Sequence, residues 1–361
     1  MKIFPSLITD PSFQFTPANE TLALNATPLP FPSLMQQILT PEMRDDLSRL
    51  ETSNGVTLDK IIASGVAHND SKIGVYAGDE ECYTTFSALM DPVIERYHQV
   101  SLPLTHTKQF SPMDLDLSFS PMAEQQIQSV RVRIARNLAG VPFESSLSND
   151  QRADVEQRIT NALQTLAPTL SGHYYSLNSL HPDSRASMIA NHELFVTEDP
   201  HLDTAGIYDD LPNNRGTFIS DDRSLIIWVN EEDHLRIMAL AKGCDVQQVA
   251  TKVKDASDYL NDQLDFAYSP ELGYLTSCPT NLGTTMRASV HVALPNLAKH
   301  PRILDECLRD HGLQKRSIHG ESYQATGYVF DISNAKRLGT TENCTGLIEP
   351  DALIRDNLAN H

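Results

Sequence analysis

Two stretches of this chain alternate apolar and polar residues with a period of two, and both carry arginine on the polar side. In Val130-Arg131-Val132-Arg133-Ile134 the apolar residues fall on one face of an extended strand and Arg131 and Arg133 on the other. In Arg287-Ala288-Ser289-Val290-His291-Val292 the residues Arg287, Ser289 and His291 share a face opposite Ala288, Val290 and Val292. Guanidinium groups two residues apart on one face form a fork suited to phosphate oxygens. An exposed strand with solvated arginines would show the same pattern, so the pair alone does not decide between them.

Three neighbouring features bear on that choice. Cys278-Pro279-Thr280-Asn281-Leu282-Gly283-Thr284-Thr285 runs directly into the second arginine strand, and its glycine and hydroxyl residues fit a polyphosphate-binding turn. Trp228-Val229-Asn230-Glu231-Glu232-Asp233-His234-Leu235-Arg236 places three acids in a row after an apolar strand. These acids suit either a helix N-terminus, which the macrodipole favours, or a carboxylate for a cationic substrate with outer-shell contacts to Mg²⁺ from Glu231 and Asp233 through water. Arg236 would then add a phosphate contact. Arg316-Ser317-Ile318-His319-Gly320-Glu321 reads as a charged loop.

The surrounding pattern predicts an α+β chain. Thr40-Pro41 opens a helix over Glu42–Leu50, Thr57 caps a second with Leu58, Ile61 and Ile62 on one face, and a third covers Phe86–His98. The small polar run Asn69–Asp79 between them is a loop. Residues 102–121, rich in proline and serine, read as a linker between an N-terminal domain (1–101) and a catalytic domain (122–361). Beyond the linker, Ser148 and Gln151 make a capping-box pattern, Leu225–Val229 is a strand, Asp245–Phe266 a long helix, and Met286–Leu294 alternates again. The order lacks repeated βαβ units.

Composition narrows the partners. A net charge of −19 over 361 residues argues against general binding to nucleic acid or anionic membrane, which needs a positive field. The five cysteines (Cys82, Cys244, Cys278, Cys307, Cys344) are odd in number and scattered, which predicts no disulfide framework, no cysteine zinc site and a reducing cytoplasm. The N-terminus lacks a signal-peptide core, and no apolar run approaches the ~18 residues of a membrane span.

The run Cys278–Thr284 is similar to the signature heptapeptide of phosphagen kinases, the ATP:guanidino phosphotransferases. Val130–Arg136, Trp228–Arg236, and Val329–Asn334 with Arg337-Leu338-Gly339 resemble further motifs of that family, in its order, and the likeness extends from about Leu58 to Gly339. The resemblance implies a small all-helical N-terminal domain and a larger C-terminal domain with an antiparallel sheet flanked by helices, like the catalytic core of glutamine synthetase. It implies transfer of the γ-phosphoryl of MgATP to a guanidine. Arg131, Arg133, Arg236, Arg287 and Arg316 would bind phosphates, with Ser129, His192, Ser289 and His291 near the nucleotide. Glu232 and Glu321 would hold the guanidinium, and Cys278, as a thiolate, would contact its non-reacting side. No direct protein ligand to Mg²⁺ is expected.

Within the family the short loop Asp70–Tyr76, Tyr97 and Glu321 resemble the arginine kinase branch. That likeness assigns Ser71, Lys72, Ile73, Gly74, Val75 and Tyr76 to the far end of L-arginine, through backbone amides and the tyrosine hydroxyl. Lys72 departs from the usual glycine and would equally attract the sulfonate of taurocyamine or the phosphodiester of lombricine. Ser317-Ile318-His319 also departs, and Pro200 stands where an arginine usually meets Asp70, which predicts weaker restraint between the domains. A nucleotide-binding pseudokinase is a third reading, and a monomer is the expected assembly.

Overall fold

The computed structural model describes residues 32–108, 119–316 and 328–339. Five helices form the first unit: α1 (Leu34–Ile38), α2 (Pro41–Leu47), α3 (Leu58–Ala67), α4 (Cys82–Thr85) and α5 (Ser87–His98). Their starts follow from local chemistry. Ser33 and Gln36 close a reciprocal capping box on α1, and the Thr40 hydroxyl accepts from the Met43 amide with proline at the first turn of α2. Thr57 stands at the N-cap of α3, but its side chain makes no capping bond. Met35 and Ile38 of α1, Leu58, Ile61 and Ile62 of α3, and Leu89, Met90 and Val93 of α5 share one apolar core.

The second unit opens with α6 (Pro121–Glu124), so Pro121, read as the end of the linker, already begins a helix capped by Ser120. The strands are β1 (Ile127–Arg136), β2 (Gly172–Ser176), β3 (Gly216–Ser220), β4 (Leu225–Val229), β5 (Leu235–Lys242), β6 (Tyr268–Ser269), β7 (Gly273–Tyr274), β8 (Arg287–Ala293), β9 (Leu313–Arg316) and β10 (Val329–Asn334). The helices are α7 (Asn149–Leu163), α8 (Pro182–Ala190), α9 (Pro200–Thr204), α10 (Val246–Asn261) and α11 (Pro301–Asp310). Eight strands form one antiparallel sheet in the order β2-β3-β4-β5-β1-β8-β10-β9, and β6 pairs with β7 separately.

One face of the large sheet is covered. Val130, Val132 and Ile134 of β1, Ile237 of β5 and Val290 and Val292 of β8 share a core with Val155 and Ile159 of α7, Val249, Val253 and Leu260 of α10, and Leu304 and Leu308 of α11. Burying each such side chain stabilises the fold by roughly 1.5–3 kcal/mol, which holds the alternation in register. The capping box at Ser148 and Gln151 is present on α7. α10 ends at Asn261, short of the expected Phe266, although Leu264 and Phe266 still enter the core.

The two units share material. Ala267, Leu272, Leu275, Cys278, Leu282 and Leu338 lie in the core of the helical unit, although by sequence they belong to the sheet unit. The segment around Cys278 is therefore clamped between the units.

Candidate active site

Strand register gathers the arginines on the uncovered face. Arg131 stands opposite Ser289, and Arg133 opposite Arg287. Ala135, of the same parity, stands opposite Arg236. On the far side Asp331 faces both His291 and Arg316. Five arginines from four strands thus occupy one row of positions; the Arg316 side chain, Ser317-Ile318-His319 and Glu321 lie outside the described residues.

This row carries excess positive charge. Burial, then the neighbouring Arg236, Arg131 and Arg287, hold the Arg133 guanidinium well below its ordinary basicity. Among the described residues no hydrogen bond or ion pair holds Arg133. Like charges gathered at this density favour a polyanion. Asp331 relieves part of the field: its Oδ2 is 2.8 Å from Arg287 Nη2 and 3.6 Å from Arg131 Nη2. Burial raises the Asp331 pKa, but Arg287 and Arg131 outweigh it and keep the carboxyl low. Arg287 Nε also donates to Ser333 Oγ at 3.0 Å. At the other end of the face Ser129 Oγ meets His291 Nδ1 at 2.8 Å. Burial lowers the His291 pKa, with Arg131 and His192 adding to it, so His192 reaches this site from the exposed turn after α8.

The three acids form the hairpin turn between β4 and β5, not a helix N-terminus. Asn230 takes φ 56° and its amide bonds the His234 carbonyl at 3.0 Å. The turn splits the acids by direction. Arg236 Nη2 donates to Glu232 Oε2 at 2.6 Å, and Arg236 Nη1 lies 3.0 Å from Glu231 Oε2. Burial opposes the Arg236 charge, yet Glu231 and Glu232 carry its pKa above the ordinary value. Asp233 turns inward instead. It is 1% exposed, and its Oδ1 accepts from Asn137 Nδ2 at 2.7 Å and the Ser277 amide at 2.8 Å. The expected outer-shell role for Asp233 is therefore corrected: its carboxylate braces the cysteine turn. Glu231 is committed to Arg236.

That turn is held from both units. Tyr83 Oη donates to the Thr276 carbonyl at 2.6 Å, and His98 Nε2 donates to the Pro279 carbonyl at 2.9 Å. Arg337 Nη1 reaches the Thr280 carbonyl at 3.1 Å and Asn281 Oδ1 at 2.5 Å. Gly283, at φ 93°, is required: a Cβ there would sit 2.2 Å from the Arg337 carbonyl oxygen. Cys278 Sγ lies 3.1 Å from Thr280 Oγ1. Burial first, then the Glu232 charge, pushes the thiol up to about 12, and the Thr280 hydrogen bond offsets this only in part. Burial and the Glu232 charge thus favour the thiol over the expected thiolate until a cation approaches the sulfur.

The loop after α3 docks beside it. The Ala77 amide donates to the Ser277 carbonyl at 2.7 Å, and the Tyr76 amide to the Ile61 carbonyl at 2.9 Å. Ser71 Oγ accepts from the Gly74 amide at 2.9 Å, so that hydroxyl shapes the loop itself. Ile73 and Val75 bury their side chains and Lys72 projects into solvent. Among the described residues the amides of Lys72, Ile73 and Val75 have no partner. Burial, followed by Cys278 and Glu232, drives the Tyr76 pKa far up, which places its hydroxyl in the same field. Tyr97 is apart, exposed on α5 and edge-on to His98. Beside Pro200, the next residue, His201, lies 3.4 Å from Asp70.

Asp331 carries a role at the arginine face that the motif reading did not give it. Its signal was available: Phe330 and Ile332 alternate with Asp331 and Ser333 in the same period of two. The brace from Asp233 to Ser277 had no such signal, since the partners are 44 residues apart.

Two family models match the chain. The ATP:guanido phosphotransferase N-terminal domain matches residues 32–95, and the ATP:guanido phosphotransferase C-terminal catalytic domain matches residues 154–346. The chain belongs to the ATP:guanido phosphotransferase family, the phosphagen kinases. It is 40% identical over 314 residues to an arginine kinase of Anthopleura japonica, covering 86% of this chain and 44% of that one. It is 39% identical to arginine kinase of Limulus polyphemus, covering 86% and 87%. Among solved structures, a lombricine kinase superposes with TM-score 0.83 at 33% identity, covering 91% of this chain and 92% of that one. The duplicated taurocyamine kinase of Schistosoma mansoni gives 0.82 at 34%, covering 90% and 46%. The chain thus spans less than half the length of the first-named relative and of the duplicated enzyme.

Proposed function

We propose that this protein transfers the γ-phosphoryl group of MgATP reversibly to the guanidine of L-arginine, giving phosphoarginine and ADP. One observation carries the reading: a loop whose Lys72, Ile73 and Val75 amides are unpaired among the described residues is docked against the Cys278 turn, next to Glu232 and the arginine row. The nucleotide phosphates lie on Arg131, Arg133, Arg236, Arg287 and Arg316, and charge developing on the transferring group is stabilised by groups already in place. Bound with the nucleotide, Mg²⁺ would supply further neutralisation of the phosphate charge. Among the described residues near the row, Glu231 and Asp331 are ion-paired and Asp233 faces inward.

Glu232 already grips one guanidinium, that of Arg236, at 2.6 Å. Substrate binding exchanges this partner: Arg236 turns to phosphate and the arginine guanidinium takes the carboxylate. Glu232, with Glu321 as second clamp, holds the planar group so that one nitrogen points at phosphorus, and a carboxylate accepts its proton as the N–P bond forms. Cys278 and Thr280 bound the non-reacting side. The unpaired amides receive the substrate carboxylate, and Tyr76 the amine.

Lys72 supports a second reading. Its exposed ammonium at the mouth of the loop suits a sulfonate or phosphodiester, so the same chemistry would act on taurocyamine or lombricine. A coupled ADP-release assay over arginine, taurocyamine, creatine, glycocyamine and lombricine separates the cases. Turnover of arginine is expected; turnover of taurocyamine or lombricine alone would transfer the proposal to the second reading, and none at all would refute both. A monomeric cytoplasmic enzyme with domains at 1–101 and 122–361 completes the proposal. Among the described residues no helix is long and apolar enough to cross a membrane.

A further inference from the structure

Away from the arginine row, three metal-ligating side chains meet where the two units touch. His68 caps the C-terminus of α3, Asp70 follows it in the turn, and His201 lies in α9 of the catalytic unit. His201 Nε2 is 3.4 Å from Asp70 Oδ1, and the His68 and His201 ring centroids are 4.8 Å apart. One ligand atom from each of the three residues lies within 4.8 Å of the other two, and all three side chains are half-buried. None takes part in the reaction proposed above.

The positions are held by backbone. The His68 amide bonds the Ser64 carbonyl at 3.0 Å, and the Asp199 carboxylate caps the amides of His201 at 2.8 Å and Leu202 at 3.3 Å. Thr204 Oγ1 lies 2.7 Å from His68 Nε2. Two imidazoles and one carboxylate are the donor set of three-ligand Zn²⁺ sites, with a fourth position for water. Coordination bonds of ~2.0–2.2 Å need the donor atoms about 3.3 Å apart, which small side-chain rotations reach from the present spacing. Mg²⁺ and Ca²⁺ prefer all-oxygen shells, so the nucleotide's own cation is a poor fit.

We propose that His68, Asp70 and His201 form a binding site for a borderline divalent cation, Zn²⁺ foremost, that ties the N-terminal unit to the catalytic unit. The cation bridges the interface where the sequence lacks an arginine to meet Asp70. The site uses no cysteine, so the scattered thiols are no argument against it.

Full-length protein, stripped with EDTA and dialysed, would be titrated with CoCl₂ and followed by visible absorption. One equivalent should give d–d bands without a thiolate charge-transfer band, and ZnCl₂ but not MgCl₂ should displace it. His201→Asn and Asp70→Asn should each weaken binding at least ~10-fold. His173→Asn, which alters an exposed histidine 3.7 Å from Asp221, should leave it unchanged. Zn²⁺ should raise the melting temperature of the unaltered protein and not of the folded His201→Asn variant. Equal binding by His201→Asn, or a thiolate band in the cobalt spectrum, would overturn the proposal.

Discussion

Asp233 offers the most searching test of how the site is built. Its one carboxylate oxygen accepts from Asn137 Nδ2 and the Ser277 amide, while Oδ2 is buried without a hydrogen-bond partner. Asp233→Ala strands two buried donors. Each costs about 1–3 kcal/mol, so the variant should lose roughly 2–6 kcal/mol, a large share of a typical ~5–15 kcal/mol. Asp233→Asn keeps the acceptor and the shape, and should fall within about 1 kcal/mol of the parent. The pH dependence gives a second reading. Burial, then the Glu232 charge, raises the Asp233 pKa from 3.8 to about 7. The native state therefore holds a proton that the unfolded chain has released. Stability contributed by this group is full below about 4 and declines as pH rises towards 7, by at most ~1.4 kcal/mol per unit. Asp233→Asn removes that decline. Urea unfolding of the three proteins between pH 4 and 8 measures both effects as shifts in midpoint at constant slope. The reasoning fails if Asp233→Ala matches the parent, or if the difference between parent and Asp233→Asn does not change with pH.

Glu232→Gln should lose turnover by orders of magnitude while ADP affinity, measured by calorimetry, persists; a collapse of ADP binding would show that Glu232 serves the nucleotide. Arg133→Ala removes a guanidinium that makes no hydrogen bond or ion pair among the described residues, so ADP should bind about 10- to 100-fold more weakly with little change in melting temperature. Burial holds His98 down to about 4 and His234 down to about 3, against 6.5 unfolded. Both act as neutral donors, and the stability they contribute is present above about 6.5 and lost as pH falls through those values. His98→Phe should therefore flatten the acid limb of a melting-temperature profile between pH 6.5 and 4, and an unchanged limb would refute the assignment.

Much of this molecule was readable from residue order alone. Period two in β1 and β8 identified the strands, separated Arg131 and Arg133 from Val130, Val132 and Ile134, and placed the arginines on one face. Caps at Thr40 and Ser148 identified helix starts, because a cap is a contact within four residues. The turn at Cys278 was legible as a motif. What escaped were facts of pairing across distance. A run of three acids does not say which way each points, and the hairpin sends Glu232 to Arg236 but Asp233 to Ser277. The protonation of Cys278 likewise depends on burial between two units and on the field of Glu232. The contact of His201 with Asp70 was hidden for the same reason, since the two lie on different units. Alternation and caps are short-range properties that the chain carries wherever it goes. Direction, burial and charge coupling exist only once the sheet register and the docked helical unit bring remote residues within a few ångströms.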